Sequence, residues 1–115
     1  MSNINPLYHN AFGVAFQWKR CPEKKMYKVQ LVFRDTGLQL SYEELQWFEK
    51  TISATIAHAP SCEHCDQEEG CRGLLLETPL HQVSFAMSLK ELKAIKELVE
   101  GTLFQLRLNN LLKNI

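Results

Sequence analysis

Two stretches decide the fold: residues 38–56, LQLSYEELQWFEKTISATI, and residues 85–103, FAMSLKELKAIKELVEGTL. Each opens on alternating residues and passes through a serine followed three positions later by a glutamate. That pair is a capping box: the serine hydroxyl accepts an N–H of the first helical turn, and the glutamate reaches back to the serine N–H. Behind Ser41, Leu45, Phe48, Ile52 and Ile56 recur at helical spacing; behind Ser88 come Leu92, Ile95, Val99, Leu103 and Leu106. Laid over one another, Ser41 meets Ser88, Glu44 meets Glu91, Leu45 meets Leu92 and Thr55 meets Thr102. The strand before the cap falls into register too, which points to an internal duplication of a strand–helix unit. The first helix should reach about residue 57, before Pro60 stops it.

Upstream of the first cap, Phe12, Val14, Phe16 and Trp18 alternate with smaller or polar residues, and Tyr27, Val29, Leu31 and Phe33 do the same. The two runs read as an antiparallel hairpin whose aromatics turn inward, joined by a long basic loop. Asp35-Thr36-Gly37 marks a turn into a short strand, Leu38 to Leu40. Downstream of the first helix, GLLLETP and QVSFAM read as two more strands, with Val83, Phe85 and Met87 inward. The N-terminal residues through His9 read as a polar arm. The expected architecture is an α+β domain with its strands in one antiparallel sheet and two capped helices on one face. The halves run from about 12 to 57 and 73 to 112, joined by a cysteine-bearing loop at 58–72.

With 115 residues the chain is expected to form a single domain. Thirteen basic and thirteen acidic residues cancel, so no partner class follows from overall charge. The apolar runs are far shorter than the ~20 residues that span a bilayer. MSNINPLYHN has neither the basic nor the apolar region of a signal peptide, so a cytoplasmic location is expected. In that reducing setting four cysteines point to ligands or free thiols before disulfides.

Taken together, the DTG turn, the LSYEEL cap, the CxxC…CRGLLLETP run, VSFAMSLKEL and EGTLFQL resemble a family of short, uncharacterised bacterial domain proteins, over roughly residues 20 to 112. The resemblance implies a small cytoplasmic bacterial domain and brings no activity with it.

Residues 62–71, CEHCDQEEGC, hold the densest chemistry. Cys62 and Cys65 can bite one tetrahedral ion from a single turn, and Cys71 supplies a third thiolate, as in a structural zinc site. His81 is the first choice for a fourth ligand, with Cys21 and His58 as alternatives and His64 behind them. Glu63, Asp66, Glu68 and Glu69 raise thiol pKa values, which disfavours a nucleophilic cysteine and favours a bound cation. Ordered free thiols, or a thiol-dependent redox enzyme, are the competing readings.

Lys19, Arg20, Lys24, Lys25, Lys28 and Arg34 cluster in and beside the first hairpin, with Glu23 the one acid among them. Beside Trp18 and Tyr27 they could bind nucleic acid or a phosphate ligand; the plainer reading is a solvated loop that keeps an edge strand soluble. Finally, Phe104, Leu108, Leu111 and Ile115 make a second apolar stripe near the C-terminus, read as a homodimer seam. Its rival is an internal surface, with Phe104 to Leu108 folding back as a strand. No P-loop, GxGxxG, nucleophile elbow or HExxH occurs, so the expectation is a non-catalytic binding or interaction module.

Overall fold

Both capping boxes form. Ser41 Oγ accepts the Glu44 N–H at 3.1 Å, and Glu44 Oε1 accepts the Ser41 N–H at 2.8 Å. Ser88 and Glu91 repeat the exchange at 3.1 and 3.0 Å. They open α1 (Tyr42–Ala57) and α2 (Leu89–Lys113). At matched positions further along, Thr55 donates to the Thr51 carbonyl and Thr102 to the Leu98 carbonyl. The computed structural model describes residues 4–18, 28–59 and 73–113.

Six strands accompany the helices: β1 (Ile4–His9), β2 (Gly13–Trp18), β3 (Val29–Phe33), β4 (Thr36–Leu40), β5 (Leu74–Glu77) and β6 (Ser84–Met87). The class is α+β. The strands divide between two sheets rather than sharing one: β1-β2-β3-β4 form an antiparallel meander, and β5-β6 a separate hairpin. That hairpin packs β5 against α1 and β6 against α2, filling the open side of the helix pair. Its inner face, Leu76, Phe85 and Met87, joins one core with Leu31, Phe33, Phe48, Ile52, Ile95 and Leu103. Phe33 and Phe85 meet edge to face at 5.1 Å across the two sheets.

Three expectations need correction. β2 has the opposite phase: Ala15 is buried among the helices, while Phe16 and Trp18 share the outer face as an edge-to-face pair at 5.2 Å. The reason is close approach. A Cβ on Gly13 would meet the Val32 carbonyl oxygen at 2.3 Å, Phe33 Cβ at 2.9 Å and Leu98 Cδ2 at 3.1 Å, so β3 and α2 together leave no room for a side chain there. Val83 is exposed instead of inward, because its N–H closes a turn onto the Leu80 carbonyl before β6 begins. The N-terminal arm is a strand: Ile4–His9 pairs along β2, with an irregularity between Pro6 and Tyr8 that places buried Leu7 beside Tyr8.

The turn between β3 and β4 has only two residues outside the strands, Arg34 and Asp35. Tight hairpins need a positive φ to match strand twist, and Arg34 adopts one of 52°. Its guanidinium reaches the Ala86 carbonyl at 3.1 Å and Glu91 at 3.6 Å, tying this strained turn to the second hairpin and to the cap of α2.

Candidate functional site

Along most of its length α2 packs one side against α1, β1, β2 and β6. β1 runs beside it, with the Tyr8 hydroxyl donating to Glu97 and Asn10 Nδ2 donating to the Ala94 carbonyl at 3.0 Å and to Glu97 at 2.6 Å. Asn10 Oδ1 accepts the N–H groups of Phe12 and Gly13, so one side chain both shapes the β1–β2 turn and docks it on the helix. The Tyr8 ring lies directly on Gly101, where a Cβ would come within 2.5 Å of the ring. Hydrogen bonding to Tyr8 and Asn10 lowers the Glu97 pKa from its ordinary value. The bond to Glu97, then burial, raises that of the Tyr8 phenol.

Beyond Gly101 α2 continues as a helix to Lys113, so the fold-back strand does not form. Two faces of the overhang differ. One carries Phe104, 64% exposed, Leu108, half-buried, and Leu111, 61% exposed, with Leu112 beside them at 57%. At 3.6 residues per turn this face is turned well away from the core stripe of Leu92, Ile95, Val99 and Leu103. The other continues the core stripe past half-buried Leu106 into Asn109 and Asn110. It looks onto Asn5 and Gln17, which pair across β1 and β2, and onto Tyr42 at the start of α1. A cavity of about 610 Å³ lies between them. Arg107 Nε donates to the Tyr42 hydroxyl at 3.0 Å across its rim. Asn5, Gln17, Tyr42, Arg107, Asn109 and Asn110 were not singled out by sequence. The available signal was the helical stripe turning from leucine to asparagine at 109.

Of the other sequence candidates, Cys21, Cys62, Cys65, Cys71, His64, Lys19, Arg20, Lys24, Lys25 and Ile115 lie outside the described residues. Among the described residues, no group of three His, Cys, Asp or Glu side chains could hold a metal ion. His81 is exposed in the β5–β6 turn, lining a groove with Glu43, Glu44 and Trp47 at the start of α1. His58 sits at the other end of α1, as its C-cap. Its Nδ1 is 2.8 Å from the Ala54 carbonyl; a carbonyl only accepts, so Nδ1 is the donor in this bond. The two histidines therefore serve different ends of the helix. Lys28 is half-buried just before β3.

The sheet face away from the helices carries Ile4, Pro6, Phe16, Trp18, Gln30 and Gln39, and no carboxylate among the described strand residues. Trp18 is 38% exposed there. No helix among the described residues is long and apolar enough to cross a membrane. The chain matches no family model, no curated protein and no solved structure.

Proposed function

We propose that this chain is a non-catalytic interaction domain that associates with a second copy of itself through the overhang of α2. The observation that carries the reading is the exposed row of Phe104, Leu111 and Leu112 on a regular helix. Burying such a side chain is worth about 1.5–3 kcal/mol, so a row left in water favours association. A twofold axis near Leu108 sets the two helices antiparallel and brings each Phe104 onto the partner copy's Leu111 and Leu112, so every contact is made twice. Light scattering against concentration tests it. The wild type is expected as a dimer and Leu108→Lys/Leu111→Lys as a folded monomer; a wild-type monomer mass at high micromolar concentration refutes the seam.

Within this reading the cysteine loop is a structural zinc site, on Cys62, Cys65, Cys71 and a fourth ligand. His81, Cys21 and His58 are the candidates. The hydrogen bond of His58 supports that residue, since a backbone carbonyl on Nδ1 is a common way to aim Nε2 at a metal, and the loop leaves α1 beside it. Purified protein should carry about one equivalent of zinc, and chelation should lower its melting temperature. Metal-free protein with freely titrating thiols and an unchanged melting curve removes the site.

The outward aromatics favour a second reading, single-stranded nucleic acid on the open sheet face. Flat side chains on a face with no carboxylate among the described strand residues, followed in sequence by the basic β2–β3 connection, are what base stacking and phosphate contact require. Oligonucleotide affinity should fall steeply with salt and be lost in Lys24→Gln/Lys25→Gln/Lys28→Gln. No binding at low salt leaves the connection as a solvated loop.

A further inference from the structure

We propose that the cleft under the overhang of α2 is a binding site for a small phosphorylated nucleoside, independent of the dimer seam on the opposite side of the helix. Two periodic patterns belonging to different elements turn polar at the same level. On α2 the core stripe through Leu103 and Leu106 gives way to Asn109 and Asn110; on the sheet, the helix-facing row of Tyr8 and Ala15 ends in the pair Asn5 and Gln17. Here both walls end in carboxamides.

Asn5 and Asn110 each carry donors and an acceptor together, and Asn109, whose Oδ1 accepts from Gln105 Nε2 at 3.0 Å, adds its amide donors. Such a set complements groups that alternate the two, such as the edges of a heterocyclic base. Arg107 is the one charged side chain lining the cavity among the described residues. Its planar fork of five donors suits a phosphate, and the Tyr42 bond engages its Nε while setting the guanidinium at the rim. Tyr42 itself, 37% exposed, presents an aromatic ring beside the amides, a surface for a base to stack on. The end of α1 does not compete for the phosphate, because Ser41 and Glu44 cap it. At about 610 Å³ the cavity has the size of a small-molecule site.

The test is titration of the full ¹⁵N-labelled chain with adenosine 5′-monophosphate, adenosine and ribose 5-phosphate, following the side-chain amide signals of Asn5, Gln17, Asn109 and Asn110. The monophosphate should move these signals saturably, and each fragment should bind at least about tenfold more weakly, having lost either the phosphate or the base. Arg107→Gln should weaken the monophosphate by about tenfold or more and leave adenosine almost unchanged. Should that variant melt lower through loss of the Tyr42 bond, Asn109→Leu/Asn110→Leu reads the same cleft and should weaken all three ligands. Carboxamide signals that stay still at millimolar nucleotide, or an affinity indifferent to both variants, overturn the proposal.

Discussion

Gly101→Ala should destabilise this protein, although in most helices the same change stabilises. Alanine outranks glycine by about 1 kcal/mol in a helix interior, so an unobstructed site would gain that amount. Gly101 is obstructed: a Cβ would stand 2.5 Å from Tyr8 Cζ and 2.6 Å from both Cε atoms. The ring cannot yield locally, because its hydroxyl is bound to Glu97 and β1 is held by pairing to β2. Forcing a methyl into such a contact costs about 1–3 kcal/mol, which outweighs the propensity gain and leaves a net loss of about 1 kcal/mol. The informative measurement is a double-mutant cycle by urea unfolding. With the ring removed by Tyr8→Ala, the obstruction is gone and Gly101→Ala should raise stability by about 1 kcal/mol. The sign reversal gives a coupling of about 2 kcal/mol, within the range for residues in contact. Gly101→Ala that stabilises the wild type, or that has the same sign in both backgrounds, refutes the claim that Tyr8 covers α2 at this point.

The Tyr8–Glu97 pair predicts a pH window. The Glu97 pKa is lowered by folding, so its contribution is present above the ordinary value of 4.5 and fades as pH falls through the folded value; the Tyr8 pKa is raised, so its contribution is present below 10.0 and fades as pH rises through the folded value. Tyr8→Phe should therefore narrow its stability deficit at both pH extremes, and a deficit constant from acid to alkali would count against the bond. At the β3–β4 turn, Arg34→Ala keeps the positive φ and loses the clamp onto Ala86 and Glu91, whereas Arg34→Gly loses the clamp and relieves the backbone. The glycine variant should be more stable than the alanine variant by about 1 kcal/mol in thermal unfolding, and equal melting temperatures would deny the strain.

Local chemistry made the helices legible. A capping box and a helical stripe act within a few residues of one another, so Ser41–Glu44 and Ser88–Glu91 announce α1 and α2 whatever packs on them. The β2–β3 pairing was equally readable from alternation, as was the inward face of β3. The phase of β2 was not. Alternation states that two faces differ; which face meets α2 depended on packing at Gly13, where β3 and Leu98 of α2 leave no room for a side chain. β1 escaped because an edge strand held by Asn10 and Tyr8 needs few apolar residues of its own. The polar cleft escaped for a related reason: Asn5, Gln17, Tyr42 and Asn109 come from four different elements, and no spacing along the chain links them. By itself the sequence determined two capped helices, the strands before them, and an apolar stripe at the C-terminal end. Tertiary structure decided which sheet face is open, and that the end of α2 carries an apolar row on one side and a carboxamide cleft on the other. Those outcomes depend on distances between distant segments, which periodicity cannot encode.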